Sequence, residues 1–186
     1  MLTTEHLLLR AYQSSDDANI LELYDTPAVQ LTMTNHLNTP LGTDFIEAVF
    51  RPSTKSAYFH SIITLRSDPS VFVGVVFLEH FDNAKDRSAM YSLAVLQAHQ
   101  GKWYGTEVTK VVVDWGFRMG GLHRMWLSAS ECNLGAIRVY EKAGFQKDWV
   151  ARQENWANGR WWDCIYMSLL EEEFSAMDRE QTASMV

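Results

Sequence analysis

The sequence has little cysteine, little proline and no long apolar run. Of its 186 residues, two are cysteine and four are proline. Cys132 and Cys164 form no CxxC pair, and the six histidines show no metal-ligand spacing, so we expect reduced, inert thiols in the cytoplasm and no metal site. No segment is apolar enough to cross a bilayer. Residues 1–15 lack the basic and apolar regions of a signal peptide, so we expect neither a membrane span nor a leader.

Basic residues are also in the minority. The chain has 16 Lys and Arg against 23 Asp and Glu, a formal net charge of −7. This balance argues against nucleic acid as a partner, which needs a basic face. It weakly suits a cationic substrate, although an acidic surface can simply keep a protein in solution. An anionic ligand would need locally placed positive groups.

The apolar fraction of 47% is enough for one substantial core. Hydrophobic periodicity and turn residues predict seven strands, at residues 3–10, 58–65, 71–79, 88–96, 124–130, 149–156 and 160–170. Helices are predicted at residues 14–24, 41–50, 106–119 and 133–143. This order predicts a single α/β (α+β) domain, residues 1–174, with a mixed, twisted central sheet and helices on both faces. We expect residues 175–186 to form a polar, flexible tail.

One candidate binding loop, Gln100-Gly-Lys-Trp-Tyr-Gly-Thr106, joins the predicted strand 88–96 to the next helix. Backbone N–H groups at a helix start have no intrahelical partner and lie at the positive end of the helix dipole. Gly101 and Gly105 allow close approach of a ligand, and Lys102 adds a full charge. These features predict a pyrophosphate site, although an ordinary tight connection would explain the same residues. Neither the P-loop nor the dinucleotide-binding glycine pattern is present.

A second candidate segment runs from Asn133 to Phe145, NLGAIRVYEKAGF. Asn133 is a good helix N-cap and Gly144 a good C-terminal residue. Ala136 and Tyr140 are four residues apart and share a helix face, so a ligand could lie over the phenol of Tyr140. A tyrosine so placed could donate a proton to a leaving group. The alternative is a core tyrosine with a satisfied hydroxyl.

Together these segments resemble the GNAT superfamily of acetyl-CoA N-acyltransferases. The chain from residue 2 to 174 is similar to the branch of ribosomal-protein-alanine and spermidine acetyltransferases, above all in VDWGFRMGGLHRMWLSASECNLGAIRVYEKAGFQKD. The resemblance implies the GNAT fold and direct attack of an amine on the thioester of acetyl-CoA. It implies that Tyr140 protonates the departing thiolate. It assigns cofactor binding to Asn133, to the backbone of Leu93, Ala94 and Val95, and to Gln100, Gly101, Lys102, Trp103, Tyr104, Gly105 and Thr106.

The sequence departs from the family pattern in two places. Trp103 stands where the loop pattern has its first glycine, and a left-handed backbone there would cost about 1 kcal/mol or more. Met90 and Ser128 stand where many relatives carry the glutamate that accepts the amine's proton. Glu79, His80, His123 and Glu131 are the remaining candidates for that role, beside transfer through water to bulk solvent.

The predicted function is therefore acetyl-CoA-dependent N-acetylation of a primary amine on a small molecule or a peptide N-terminus. We expect a cytoplasmic monomer or homodimer. The alternatives are a GNAT-fold protein that binds CoA or acyl-CoA without turnover, and a GNAT-fold module that binds a protein partner. The sequence does not specify the acceptor amine.

Overall fold

A computed structural model describes residues 1–33, 39–79 and 84–183. Its strands are β1 (Leu2–Thr3), β2 (Leu7–Arg10), β3 (Phe59–Leu65), β4 (Phe72–Glu79), β5 (Ser88–Val95), β6 (Arg124–Ser130), β7 (Gln146–Ala157) and β8 (Arg160–Leu170). Its helices are α1 (Asp17–Asp25), α2 (Pro27–Met33), α3 (Arg51–Ser56), α4 (Tyr104–Arg118), α5 (Leu134–Lys142) and α6 (Glu171–Ala183). Single turns of 3-10 helix lie at Ser14–Asp16, Ala84–Asp86 and Gln97–His99, and a π-helical turn at Ile46–Phe50.

The strands form one eight-stranded sheet in the order β1-β2-β3-β4-β5-β6-β8-β7. β5 pairs with β6 in parallel over Ser88–Met90, whereas β2 with β3, β3 with β4, β6 with β8 and β7 with β8 are antiparallel. The mixed α/β prediction is confirmed, with one strand more than predicted. The extra strand arises because Thr4 turns the chain: its Oγ1 accepts from the Leu7 backbone N–H at 2.9 Å, and the predicted strand 3–10 folds back as β1 and β2.

Several element bounds differ from the prediction. Pro52 does not end the helix predicted at 41–50, because it lies in the first turn of α3, where no intrahelical N–H donor is required. Residues 175–183, within the predicted polar, flexible tail, belong to helix α6. The helix α6 is held there because Phe174 stacks on Phe117 with ring centroids 4.9 Å apart, and Asp178 pairs with Arg118 at 2.6 Å.

The chain divides into two compact units, residues 1–79 with 91–108 and residues 80–90 with 109–186. The first unit has an aromatic core against β4, in which Phe50 packs edge-on against Phe77 with centroids 5.6 Å apart. The second unit buries alternate residues of its strands. Met125 and Leu127 of β6 and Met167 and Leu169 of β8 are at most 2% exposed, as expected for strands with one covered face.

Candidate active site

The first candidate region, the loop before α4, lies in the first unit. The Gln100 side-chain Nε2 donates to the Val95 carbonyl at 3.0 Å and closes the loop onto the end of β5. The first backbone bond of α4 runs from the Glu107 N–H to the Trp103 carbonyl at 3.1 Å. The helix therefore begins at Tyr104, two residues before the predicted start. The positive end of its dipole lies at the loop.

Trp103 adopts the left-handed conformation that the glycine position of the loop pattern suggested. Its φ is +66°, and its side chain is 67% exposed. A left-handed L-residue costs roughly 1–2 kcal/mol, so the loop holds a strained residue at the helix entrance. Most of the indole is therefore in contact with solvent.

Gly101 and Lys102 complete the loop. Gly101 has a φ of +73°, and a Cβ built there would meet nothing within 4 Å, so the backbone faces open space. Lys102 is exposed beside it. An anion approaching this side would meet a fixed positive charge and a bare backbone, which is what a phosphate-binding loop requires.

A histidine pair flanks the start of α4. The Tyr104 ring lies 6.1 Å from the His6 ring and 6.3 Å from the His99 ring, between centroids. His6 is anchored to Glu107, whose Oε1 accepts from the His6 backbone N–H at 2.8 Å. The His99 Nδ1 is buried with no hydrogen-bond partner in the part of the chain that the structure describes. Burial, and then the Lys102 charge, lower the pKa of His99, so its ring is neutral near pH 7.

The backbone of Leu93, Ala94 and Val95 lies at the end of β5. A Cβ on Gly74 would come within 2.1 Å of the Ala94 carbonyl oxygen, so β4 approaches β5 here only because residue 74 is glycine. The Leu96 N–H donates to the Val73 carbonyl at 2.9 Å. The end of β5 is thereby held firmly on its β4 side.

The second candidate region, helix α5, lies in the second unit. Asn133 is its N-cap, as the sequence predicts, and its side-chain oxygen accepts from the Ala136 N–H at 3.2 Å. Gly144 follows the helix with a φ of +97°. A Cβ there would come within 2.4 Å of the flexible end of the Met177 side chain, and the positive φ itself favours glycine at this position.

Tyr140 is 8% exposed, and its ring packs edge-on against Phe145 with centroids 6.1 Å apart. Burial raises the pKa of Tyr140 to about 12. The phenol is therefore a neutral hydrogen-bond donor throughout the physiological range. This state is the one that a proton donor must have before the reaction.

The candidate proton acceptors differ in their surroundings. Glu79 ends β4 on the face of Val75 and Phe77, since side chains alternate along a strand. It is half-buried, and burial raises the pKa of its carboxyl. Together with burial, its charge raises the pKa of Tyr24. His80 lies outside the described residues.

The other two candidates have structural contacts. His123 is exposed, and its Nδ1 lies 3.7 Å from Glu171, in a surface ion pair. Glu131 accepts from the Asp163 backbone N–H at 3.1 Å and thereby ties the end of β6 to β8. These contacts explain both residues without a role in proton transfer.

Sequence reasoning missed a polar cluster on the strands of the second unit. Tyr166 is the register partner of Ser128, and its hydroxyl donates to Glu154, at 3.1 Å from each carboxylate oxygen. The buried Cys164 thiol lies close enough to Glu154 for that carboxylate to affect its pKa. Burial, and then Glu154, raise the pKa of Cys164 to about 11, so the thiol is protonated and unreactive, as expected. The strand pattern around residue 154 gave no signal, because a bulge interrupts its alternation.

Comparison with known proteins settles which family has these features. A family model described as an acetyltransferase (GNAT) domain matches residues 6–146. The chain belongs to the GNAT acetyltransferase family. The match includes the loop before α4 and all of α5, so the resemblance read from the sequence is confirmed.

Curated relatives of this GNAT chain are N-acetyltransferases by name. The probable N-acetyltransferase YjcK of Bacillus subtilis (strain 168) is 34% identical over 119 residues, which are 64% of this chain and 65% of that protein. The spermidine N(1)-acetyltransferase of Escherichia coli is 28% identical over 94 residues, which are 50% of each chain. The chain thus spans less than two thirds of the length of each of these two relatives.

Among solved structures, this GNAT chain resembles the spermidine N-acetyltransferase of Vibrio cholerae, whose crystal structure contains CoA and spermine. The TM-score is 0.79 at 22% identity, over 90% of this chain and 97% of that one. This similarity establishes the GNAT fold. Within the described ranges, no helix is long and apolar enough to cross a membrane, and no cluster of His, Cys, Asp or Glu could hold a metal ion.

Proposed function

We propose that this GNAT protein transfers the acetyl group of acetyl-CoA to a primary amine of a small molecule or a protein N-terminus. We place it in the cytoplasm, as a monomer or homodimer, with residues 1–174 as one acetyltransferase domain. The observation that carries the proposal is Tyr140, a buried phenol held protonated on a helix whose N-cap is Asn133. A scaffold that only bound a protein partner would not need this pair.

The loop before α4 fits the anionic end of acetyl-CoA. Gly101 leaves its backbone open, Lys102 supplies a charge, and the start of α4 supplies the positive end of a dipole. We assign the pyrophosphate to residues 100–106, with Gln100 holding the loop closed and Tyr104, Gly105 and Thr106 forming the first turn of α4. We assign the pantetheine arm to the backbone of Leu93, Ala94 and Val95, and a further cofactor contact to Asn133.

When bound, acetyl-CoA supplies the thioester that the amine attacks. In the transfer, a C–N bond forms, the C–S bond breaks and the sulfur gains one proton. The amine nitrogen returns a proton to Tyr140, and an amine that arrives protonated first loses one proton to solvent or a base. Tyr140 gives the sulfur its proton. The burial of Tyr140 keeps the phenol neutral, so its proton is available until the sulfur departs.

Amines carrying further positive charge are the acceptors to test first. The net charge of −7 favours cationic ligands. Two of the relatives are named spermidine acetyltransferases, and the structure of one contains spermine. A panel should therefore contain spermidine, spermine, single amino acids, an aminoglycoside and a peptide with N-terminal alanine.

Release of free thiol from acetyl-CoA in the presence of each amine tests the proposal. We expect turnover with at least one amine, and Tyr140→Phe should lower kcat about 10²- to 10⁴-fold, the range for loss of a proton donor. The Kd for CoA should change less than about 3-fold, because the ring stays in place. Equal kcat values for mutant and parent would remove the assignment of Tyr140.

A protein that binds CoA without turnover is the second candidate. It is favoured by the strained Trp103 in the cofactor loop and by Met90 and Ser128 at the two family glutamate positions. Calorimetry with CoA separates the candidates. Binding without thiol release across the panel supports the second candidate, and absence of binding contradicts both.

A further inference from the structure

The second unit contains a carboxylate close to one of the positions where the family glutamate is missing. Ser128 of β6 is exposed, and the residue directly opposite it on β8 is Tyr166. Opposed residues of an antiparallel pair point to the same face of the sheet. The Tyr166 hydroxyl, which donates to both oxygens of Glu154, thus connects Glu154 to the face on which Ser128 lies.

A bulge in β7 directs Glu154 to this face. Ala151 pairs with Cys164 and Asn155 pairs with Trp162, so three residues of β7 lie opposite the single residue Asp163. Gln153, at the centre of the bulge, has a φ of +53°, and its N–H donates to Asp163 Oδ1 at 2.9 Å. A left-handed glutamine costs about 1 kcal/mol or more, and such strain is concentrated at functional sites. Bulges commonly re-aim side chains beside active sites.

Two neighbours of Glu154 keep their protons. Besides burial, the carboxylate raises the pKa of Tyr166 to about 12 and that of Cys164 to about 11, and the Tyr166 hydroxyl donates to it. Glu154 itself is exposed. A negative charge that is held in place and open to solvent is suited to bind a cation.

An aromatic surface adjoins the carboxylate. The Trp149 ring stacks on the Tyr166 ring, with centroids 4.0 Å apart and planes 9° from parallel, and Trp149 is 51% exposed. The face of an aromatic ring attracts ammonium groups. Carboxylate and rings together have the chemistry of a site for a protonated amine rather than for an anion or an apolar group.

The cluster lies at the end of β6 that leads into α5. Ser130 is the register partner of Cys164, and its hydroxyl lies 3.1 Å from the Cys132 sulfur. The Asn133 N–H donates to the Ser130 carbonyl at 2.8 Å. Glu154 is thus near the end of β6 from which the N-cap of α5 follows.

We infer that Glu154, supported by Tyr166 and flanked by Trp149, binds a protonated amino group of the acceptor other than the one that is acetylated. The inference rests on the proposed acetyl transfer and names the residue that selects cationic acceptors. Neither Glu154 nor its bulge belongs to the two segments that carry the family resemblance.

The test compares Glu154→Gln with Glu172→Gln, an equal charge change at an exposed residue of α6. For the best acceptor of the amine panel, Glu154→Gln should raise KM about 10- to 100-fold, as expected for loss of a charge-assisted hydrogen bond. The kcat and the Kd for CoA should change much less. Glu172→Gln should have the parent's constants, and Tyr166→Phe, which keeps the ring stack, should raise KM by a smaller factor.

Calorimetry with spermidine, in the presence of CoA, measures the site without turnover. Binding by the parent that weakens about 10-fold or more in Glu154→Gln but not in Glu172→Gln supports the inference. No binding by the parent, or equal binding by both variants, overturns it. A lower kcat at unchanged KM also overturns it and would make Glu154 a proton acceptor instead. If the parent turns over no amine, the proposed function fails, whatever calorimetry shows for Glu154.

Discussion

Trp103 and Gln153 are both non-glycine residues with left-handed backbone, and each lies at a candidate binding region. Trp103 precedes helix α4 in the first unit, where the chain must turn sharply into the helix. Gln153 lies in the bulge of β7 in the second unit, where three residues oppose one. The local cost is similar, on the order of 1–2 kcal/mol, but its origin differs. The backbone strain at Trp103 comes from the start of a helix, and that at Gln153 comes from the register of two strands.

The two regions also differ in what they present. The loop around Trp103 presents backbone and a lysine, which suits phosphate. The bulge around Gln153 presents a carboxylate beside aromatic rings, which suits an ammonium group. The comparison teaches that the two candidate recognition elements, one positive and one negative, lie on separate strained segments, one in each unit.

Charge reversal at the loop should have the largest effect. We expect Lys102→Glu to raise the Kd for CoA about 10- to 100-fold, because a phosphate would lose a charge-assisted contact and meet a like charge. The KM for the amine should change little. Calorimetry with CoA makes the measurement, and Lys110→Glu, an equal change at an exposed residue farther along α4, is the control. An equal loss of CoA affinity in both variants would show that only net charge matters, and the loop would then have no special role in binding phosphate.

Backbone strain at the two residues should have a smaller effect. We expect Trp103→Gly to be more stable than Trp103→Ala by about 1 kcal/mol, and Gln153→Gly more stable than Gln153→Ala by a similar amount. Both variants of a pair lose the same contacts beyond Cβ, so the difference in their stability measures the backbone strain at that residue. Urea unfolding measures it, as a shift in midpoint at constant slope.

Trp149, also in β7 but without a positive φ, is the matched control for those pairs. There the order should reverse, with the glycine variant less stable than the alanine variant, because glycine weakens an ordinary strand. If only one of Trp103 and Gln153 shows the glycine advantage, the other is not strained and the two regions are not equivalent.

The smallest expected effect concerns Glu79 in the first unit. Its folded-state pKa is raised by burial, so the folded protein binds more protons than the unfolded chain just above the ordinary pKa of glutamate. Stability from this group is therefore lost as pH rises through that window. Glu79→Gln should remove this loss and be the more stable variant above the window, which urea unfolding across pH 4–8 would show. A parallel pH dependence in mutant and parent would contradict the burial of this charge.

Local patterns predicted most of the fold and part of the site. The N-cap Asn133, the end of α5 before Gly144 and the turn at Asn158 and Gly159 follow from propensities that act within a few residues. The left-handed backbone at Trp103 could be anticipated, because the family loop pattern places a glycine there. The split of the first strand could not, because it depends on a Thr4 side-chain bond that strand propensity does not describe.

Glu154 shows why the rest of the site could not be predicted. Its direction depends on the bulge, and the bulge depends on how β7 and β8 align over Ala151 to Asn155. A shift of one residue moves a strand side chain to the other face, so period-two reasoning fails past any bulge. Tyr166 and Cys164 likewise become its partners only through the pairing of distant strands.

By itself, the sequence determined the family and the mixed α/β class, and it predicted a cofactor loop and a proton donor at Tyr140, because these depend on short segments with their own backbone preferences. Tertiary structure alone decided that Tyr140 is buried and holds its proton, and that Glu154 lies near Ser128. The physical reason is that strain, burial and cross-strand contact depend on residues far apart in the chain, whose alignment no local pattern records.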